Sequence, residues 1–210
     1  MDKKRCIVIG SSPETDINVI RQYIRTDDFI ACADGGYIYA RQLGLEPDLI
    51  VGDFDSGEKP ELSGVRIITL PVRKDDTDTV SVIRECISSG DFEEFLLFGM
   101  TGGRFDHTLA NLSVLYSLDR QGKTAYMIDS KSITRVICDG RTIIKGKKGS
   151  GFGIFPFACE KIILSLSGFE YELEHGTLSA DHPVGVSNRI ISDNAEIGLF
   201  SGTAVMVITN

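Results

Sequence analysis

The sequence predicts an α/β protein: a doubly wound parallel-sheet domain over residues 1–132, followed by a smaller antiparallel β-sandwich domain over residues 133–210. Three observations lead to this prediction. Short apolar runs alternate with helix-like segments through the first two thirds of the chain. Near residues 130–141 the pattern changes to short β-rich segments separated by glycine or polar turns. Clusters of aspartate and glycine follow several of the apolar runs, as is typical of loops at the carboxyl ends of parallel strands.

The N-terminal elements are predicted from apolar periodicity and from turn residues. Cys6–Ile9 is a continuous apolar run, typical of a buried parallel strand. The next segment is a helix that Thr15 or Asp16 caps, and the helix after it ends at Gly44. In order, we predict strands over 6–9, 29–33, 49–51, 65–70, 95–98 and 124–128, and helices over 15–23, 37–43, 79–88 and 107–118.

The C-terminal third contains no segment with convincing helical periodicity. We predict strands over 133–138, 142–144, 153–157, 161–166, 171–173, 189–191, 196–200 and 204–208. Many short strands with regular turns are typical of an antiparallel sandwich or barrel. Apolar positions such as Ile190, Ile197 and Phe200 fit either a core or an interface between subunits.

Composition excludes several classes of function. The 210 residues carry a net charge of −8, which argues against nonspecific nucleic-acid binding. The five cysteines form no CxxC pair, and they suit a reduced, cytoplasmic setting. No apolar run is long enough to predict a membrane span.

The most informative cluster is Gly52-Asp53-Phe54-Asp55, which follows the third predicted strand. In extended geometry Asp53 and Asp55 project to the same side, where two carboxylates can hold a divalent cation. An isolated pair of this kind is more often a turn, but aspartates follow other predicted strands too. We therefore expect an acidic site at one edge of the sheet that takes Mg²⁺ bridging a polyphosphate.

Two further clusters precede predicted helices. Asp34-Gly35-Gly36 lets the backbone approach a ligand closely, although Asp34 also suits a helix cap. Lys74-Asp75-Asp76-Thr77-Asp78 places three carboxylates in four residues at a helix start, more than the helix dipole requires. Asp78 is suited to accept a hydrogen bond from a substrate hydroxyl or to hold metal, and Lys74 to meet a phosphate.

The fourth cluster is a glycine-rich loop, Thr101-Gly102-Gly103-Arg104, which runs into Asp106 and His107. Its backbone N–H groups suit phosphate oxygens, and Arg104 can bind phosphate bidentately. Asp106 suits a metal or a helix cap, whereas a histidine at a helix start is more often structural. The loop lacks the lysine and Ser/Thr of the Walker-A pattern.

These four clusters, in this order, resemble the thiamine pyrophosphokinase family, and the resemblance covers nearly the whole chain. The family is also similar in its C-terminal β domain, which carries a Ser-Asn element like Ser187-Asn188. The resemblance implies that the thiamine hydroxyl attacks the β-phosphorus of ATP, giving thiamine diphosphate and AMP with Mg²⁺. It also implies a homodimer, with each site formed where one subunit's α/β domain meets the other's β domain.

The resemblance implies a role for each matching position. Asp53, Asp55 and Asp78 surround Mg²⁺ and the reacting centre, and these three, with Arg104, form the catalytic set. Nucleotide-binding positions are Asp34, Gly35, Gly36, Lys74, Thr101, Gly102, Gly103, Arg104, Asp106 and His107. Asp78, Ser187 and Asn188 lie near thiamine. Some relatives place a tryptophan against the thiamine rings; this chain has none, which leaves Tyr171, Phe200 or aliphatic packing.

Three other interpretations stay open at the level of sequence. A related pyrophosphokinase acts on a hydroxymethyl pterin with the same fold and nucleotide. A metal-dependent phosphohydrolase also uses aspartate clusters, and it consumes ATP without an acceptor. A nucleotide-binding sensor on the same fold binds ATP without turnover, since fold alone does not determine function.

Overall fold

The computed structural model describes residues 4–55, 60, 62–71 and 75–209. The chain divides into two compact units, Met1–Ser130 and Lys131–Asn210. The fold class is the predicted one: the first unit is an α/β unit with a parallel sheet, and the second contains two antiparallel sheets.

The first unit contains six strands and four helices among the described residues. Its strands are β1 (Arg5–Ile9), β2 (Phe29–Ala33), β3 (Leu49–Gly52), β4 (Arg66–Thr69), β5 (Glu94–Phe98) and β6 (Thr124–Ile128). Its helices are α1 (Ile17–Tyr23), α2 (Gly36–Gln42), α3 (Asp78–Ser89) and α4 (Phe105–Arg120). Asp16 caps α1, because its side chain accepts a hydrogen bond from the Asn18 backbone N–H at 2.9 Å.

The strands of the first unit pair in the order β6-β5-β1-β2-β3-β4, and every described pairing is parallel. The chain builds outward from β1 to β4 and then crosses to the other side of β1 to form β5 and β6. Strand order therefore reverses between β1 and β5. In open parallel sheets, the crevice outside the carboxyl ends of the strands at such a reversal is where ligands bind.

The core of the first unit follows from its apolar strands. All five residues of β1 are buried, as expected for a central parallel strand covered on both faces. The helices contribute side chains such as Ile20, Val82 and Leu115, which are nearly inaccessible to solvent. Each fully buried side chain of this size stabilises the fold by about 1.5–3 kcal/mol.

The second unit is a β-sandwich with no helix among the residues that the structure describes there. Its strands are β7 (Ser132–Ile137), β8 (Gly140–Lys145), β9 (Gly151–Pro156), β10 (Lys161–Ser167), β11 (Leu173–Ser179), β12 (Asn188–Arg189), β13 (Asn194–Ser201) and β14 (Ala204–Thr209). Four of these strands pair in the order β12-β9-β14-β7, and the other four form a sheet with the order β11-β10-β13-β8. Ile190 and Ile197 are fully buried and belong to the core, whereas Phe200 is 56% exposed.

One predicted strand is misplaced. The segment 171–173 was expected to be a strand, but β11 begins at Leu173 and continues to Ser179. This strand lies at the edge of its sheet, and its sequence, LEHGTLS, lacks an alternation of apolar and polar residues. An edge strand with little buried surface has no reason to carry that alternation, so the pattern did not reveal it.

Two glycines, one at the start of α2 and one just after its end, have different roles. Gly36 is buried at the start of the helix, and a Cβ there would lie 2.0 Å from the carbonyl oxygen of Ile9 in β1. Gly44 ends the helix in a left-handed conformation with φ of 73°, and a Cβ there meets no atom within 4 Å. Backbone hydrogen bonds from Gly44 to Arg41 and from Leu45 to Ala40 complete the C-terminal cap.

We expect Gly36→Ala to destabilise the protein by about 3 kcal/mol, because the new methyl group overlaps the backbone of a buried strand. Gly44→Ala is the matched control, which retains the left-handed strain but has open space, and costs about 1 kcal/mol. Urea unfolding of both variants tests the difference. Equal losses of unfolding free energy would show that steric contact with β1 is not what requires glycine at position 36.

Candidate active site

The turns after β1 and β5 meet backbone to backbone at the carboxyl edge of the sheet. The Gly10 N–H donates to the carbonyl oxygen of Phe98 at 2.8 Å. A Cβ on Gly10 would lie 2.6 Å from the Gly99 oxygen, and one on Gly99 would lie 2.6 Å from the Gly10 oxygen. Only residues without side chains allow this approach, which builds the floor of a crevice at the reversal of strand order.

A cavity of about 510 Å³ opens at this place, and each of the four sequence clusters lines it. Its acidic residues are Asp34, Asp53, Asp55 and Asp78. The glycine-rich loop contributes Gly102, Arg104 and His107. The clusters therefore lie together at one edge of the sheet, as expected from the order of strands and turns. Other lining residues include Gly10, Ser11, Ser12, Pro13, Ala33, Thr77, Thr79, Gly99, Met100 and Asn111.

Asp53 and Asp55 reach the cavity from a tight turn, not from an extended segment. Phe54 between them adopts a left-handed conformation with φ of 54°, so the extended geometry expected from the sequence is wrong at this residue. The Asp55 N–H donates to Asp53 Oδ1 at 3.3 Å, which fixes the turn. A phenylalanine with positive φ is strained, and such strain is concentrated at functional sites.

Asp34 is held against the end of β3. Its N–H donates to the Val51 oxygen at 2.8 Å, and its φ is 47°. A Cβ on Gly52 would lie 2.8 Å from the Cα of Asp34, so glycine at position 52 is what permits this contact. Burial raises the pKa of Asp34, and the nearby carboxylates of Asp78, Asp53 and Asp55 raise it further.

The raised pKa of Asp34 predicts a gain in stability when the charge is removed. The folded protein holds this proton more tightly than the unfolded chain, so the stability that the group contributes is greatest at low pH and falls as pH rises through its pKa. We expect Asp34→Asn to be more stable than the wild type at pH 7 without ligands, because asparagine also tolerates positive φ. The difference should shrink as pH falls and vanish below about 3.9, the pKa of the unfolded chain.

Urea unfolding between pH 3.5 and 8 would measure this dependence, at about half-unit intervals. Asp16→Asn is the matched control, because Asp16 is exposed and asparagine caps a helix as well as aspartate does. A loss of stability in Asp34→Asn at neutral pH, with no change in Asp16→Asn, would contradict the electrostatic account of the site.

Asp78 is the first residue of α3, directly after the cap. The Thr77 hydroxyl accepts a hydrogen bond from the Val80 N–H at 3.3 Å, so Thr77 and not an aspartate caps the helix. Asp76 pairs with Arg84 at 2.8 Å and does not line the cavity. Of the cluster at this helix start, Asp78 is thus the described carboxylate directed to the site. Lys74 lies outside the described residues.

Polar contacts that are partly or fully buried hold the glycine-rich loop in place. The Ser12 hydroxyl donates to the Thr101 oxygen at 2.6 Å, and the Thr101 hydroxyl donates to Asp129 Oδ2 at 2.8 Å. Asn111 Nδ2 donates to the Met100 oxygen at 2.8 Å from a position that is 94% buried. Sequence reasoning missed Asn111. The available signal was its spacing from Leu115 and Leu118, which places a polar residue on the buried face of α4.

Arg104 and Asp106 form an exposed pair at the start of α4. Arg104 Nη2 lies 2.6 Å from Asp106 Oδ2, which raises the pKa of Arg104 and lowers the pKa of Asp106. Arg104 and His107 line the cavity, whereas Asp106, Thr101 and Gly103 do not. Gly35 and Gly36 also stay outside it, and Gly36 packs on β1. The nucleotide set predicted from sequence thus includes residues that shape the loops as well as residues that face the cavity.

Ser187 and Asn188 belong to the second unit. Ser187 has a φ of 61°, and Asn188 forms two hydrogen bonds with the backbone of Tyr171. The Tyr171 N–H donates to Asn188 Oδ1 at 3.0 Å, and Asn188 Nδ2 donates to the Tyr171 oxygen at 2.8 Å. Tyr171 is thereby fixed with 64% of its surface exposed. The side chain of Asn188 holds an aromatic residue in place.

The donor set of the cavity suits a hard cation. Four carboxylates line it and no cysteine does, which is the chemistry that Mg²⁺ prefers. Within the described ranges, no three His, Cys, Asp or Glu side chains are close enough to form a complete chelating group. A cation here therefore needs oxygen ligands from its substrate or from water in addition to the protein, as is usual for Mg²⁺.

Comparison with known proteins identifies the family. The protein-family model described as "Thiamin pyrophosphokinase, catalytic domain" matches residues 20–127, which is more than half of the chain. A second, "Thiamin pyrophosphokinase, vitamin B1 binding domain", matches residues 141–203. The chain belongs to the thiamin pyrophosphokinase family. Thiamine pyrophosphokinases are diphosphotransferase enzymes, so this membership favours an enzyme over a nucleotide-binding sensor.

Individual relatives agree with this assignment. Thiamin pyrophosphokinase 1 of Caenorhabditis elegans is 26% identical over 197 residues, covering 88% of this chain and 81% of the relative. Thiamine pyrophosphokinase of Bacillus subtilis (strain 168) is 23% identical over 95% of this chain and 96% of its own length. A crystal structure of thiamine pyrophosphokinase from Bacillus subtilis superimposes with a TM-score of 0.88 at 22% identity, covering 99% of each chain. At this identity the superposition shows a shared fold.

Proposed function

We propose that this member of the thiamin pyrophosphokinase family transfers diphosphate from ATP to the hydroxyl of thiamine, forming thiamine diphosphate and AMP. One observation carries the proposal: four carboxylates, a glycine-rich loop and an arginine converge on one cavity at the reversal of strand order. Diphosphoryl transfer needs positioned reactants and neutralised charge more than a covalent nucleophile. We assign ATP binding and catalysis to residues 1–132 and thiamine binding to residues 133–210.

In this proposal the nucleotide binds along the turns after β1 and β5. Backbone N–H groups of the loop at Gly102 and Gly103 and the start of α4 donate to phosphate oxygens, and Arg104 neutralises charge as AMP leaves. Asp34 and His107 face the same cavity. The contacts that Ser12 and Asn111 make with the loop fix its shape before the nucleotide binds.

Asp53, Asp55 and Asp78 would hold Mg²⁺. Bound there, the ion would neutralise the diphosphate and make the β-phosphorus more electrophilic. The rest of the reaction falls to the chain's own residues. Asp78, at the start of α3, accepts the proton of the thiamine hydroxyl as the hydroxyl oxygen bonds to the β-phosphorus. The bond between that phosphorus and the oxygen of AMP breaks, so diphosphate is transferred intact.

For thiamine itself, Ser187, Asn188 and Tyr171 are the favoured contacts. Asn188 bonds both the N–H and the carbonyl oxygen of Tyr171. The exposed ring of Tyr171 offers a flat surface to a cationic heterocycle. Phe200 is a weaker candidate because its ring already packs against His175 in a tilted arrangement, with centroids 4.4 Å apart. An acidic cavity also suits the positive charge of thiamine.

We also propose a homodimer in which the β unit of one subunit completes the cavity of its partner, as the family resemblance implies. All five cysteines are described, and each is a free thiol, which supports a reducing, cytoplasmic setting. Among the described residues, no helix combines the length and the apolar character needed to cross a membrane.

Release of AMP with different acceptors tests the assignment of the substrate. With ATP and Mg²⁺, we expect AMP to form in the presence of thiamine and not with a hydroxymethyl pterin or without an acceptor. Faster AMP release with the pterin than with thiamine would show that the enzyme is a pyrophosphokinase that acts on the pterin. ATP consumption at the same rate without any acceptor would favour a phosphohydrolase.

A further inference from the structure

A carboxylate of the chain itself lies on the glycine-rich loop. The backbone N–H of Gly103 donates to Glu14 Oε1 at 3.1 Å. The same side chain lies over the neighbouring glycine, because a Cβ on Gly102 would come within 2.6 Å of Glu14 Cδ and 2.8 Å of Glu14 Oε2. Glu14 belongs to the loop after β1, directly following Pro13, which lines the cavity.

These contacts use the groups that the proposed function assigns to phosphate. A backbone N–H that donates to a carboxylate is not available to a phosphate oxygen in the same place. We propose that Glu14 is an affinity-determining residue, an internal anion that competes with the phosphates of the nucleotide for the glycine-rich loop. The inference rests on the proposed function in one respect: it takes ATP as the ligand of this loop.

The contact is one that a nucleotide can displace. Glu14 is an exposed loop residue, and a single hydrogen bond between an exposed carboxylate and an amide is weak. The bound phosphates also repel Glu14. Its negative charge adds to that of the four aspartates that line the cavity. A ligand must therefore bring its own anionic group to take the place of the carboxylate. Glu14 thus lowers the affinity for di- and triphosphates and leaves the affinity for uncharged nucleosides unchanged, because a nucleoside has no phosphate to place on the loop.

Removal of this carboxylate should strengthen nucleotide binding. We expect Glu14→Gln to lower both the KM and the Kd for ATP by about two- to tenfold, the range for an exposed charged contact and the repulsion that accompanies it. The kcat and the KM for thiamine should stay at wild-type values, because the contacts described for Glu14 are with Ser12 in its own loop and with the glycine-rich loop. Glu46→Gln is the charge-matched control: Glu46 is exposed and precedes β3, at the opposite edge of the sheet.

Glu14→Asp separates the contact from the charge. The shorter side chain retains the negative charge but does not reach the Gly103 N–H, so we expect a smaller decrease in the Kd for ATP in the same direction. If Glu14→Asp binds ATP with wild-type affinity while Glu14→Gln binds it more tightly, the negative charge at position 14, and not its hydrogen bond to Gly103, weakens ATP binding. That result would overturn the inference.

The amide resonance of Gly103 tests the contact without any turnover. In ¹H–¹⁵N spectra of the protein without ligands, we expect this resonance to move upfield in Glu14→Gln, whereas Glu46→Gln leaves it in place. An unmoved resonance, or a higher Kd for ATP in Glu14→Gln as measured by calorimetry, would overturn the inference. Tighter ATP binding in Glu14→Gln with no AMP formed by the wild type would instead retain the inference and refute the proposed reaction.

Discussion

Asp78→Asn is expected to lower kcat by about 10²–10⁴-fold, the usual contribution of a positioned general base. The substitution preserves the size of the side chain and its place in the first turn of α3, but the amide does not take a proton from the thiamine hydroxyl. The Kd for ATP should change far less than kcat, because the proposed function assigns nucleotide binding mainly to the loop after β5. A loss in kcat with binding retained is what removal of a transition-state interaction produces.

Asp76→Asn is the control for this experiment. Asp76 lies two residues before Asp78 and pairs with Arg84, but it does not line the cavity. It should retain wild-type kcat, and thermal unfolding of both variants should show that each is folded. A wild-type kcat in Asp78→Asn would refute the role given to Asp78. An equal loss of kcat in Asp76→Asn would show that the total negative charge at the start of α3, and not the carboxylate of Asp78, supports turnover.

Arg104→Gln is expected to lower kcat/KM by about 10²–10³-fold, as when a donor that stabilises developing negative charge is lost. Arg104 lines the cavity and is 70% exposed, so its guanidinium is free to turn from Asp106 towards a phosphate. The same exposure means that the pair with Asp106 contributes little to the free energy of unfolding. Activity should therefore fall while the urea midpoint stays close to that of the wild type.

Arg84→Gln provides a matched comparison. Arg84 forms a similar exposed pair, with Asp76 at 2.8 Å, but it does not line the cavity. We expect wild-type kcat/KM in this variant when both enzymes are assayed at saturating thiamine with varied ATP. If Arg104→Gln also retains wild-type kcat/KM, Arg104 does not act on the nucleotide, and the glycine-rich loop alone must account for phosphate binding.

The fold was predictable from the sequence where burial leaves a simple pattern. A central parallel strand such as β1 contains a continuous apolar run, Cys6–Ile9, and aspartate or glycine follows several such runs in the chain. The position of the site follows from the same pattern, because parallel strands bring their carboxyl ends to one edge. Strand β11 was misplaced because an edge strand with exposed residues carries no such pattern.

The finer geometry of the site was not predictable, because it depends on contacts between distant segments. The left-handed conformation of Phe54 reverses the simple alternation expected of Asp53 and Asp55. The approach of Asp34 to Gly52 joins two turns that are far apart in the sequence. Glu14 on Gly103 and Asn111 on the Met100 oxygen likewise join residues that local patterns treat separately. Such tertiary contacts decide which members of a cluster face the cavity.

The products formed from ATP, Mg²⁺ and thiamine, identified by mass, test the central claim most directly. Transfer of intact diphosphate predicts AMP and thiamine diphosphate in equal amounts, with no ADP. ADP and phosphate without a thiamine product would contradict the claim and would favour hydrolysis at the same acidic cavity.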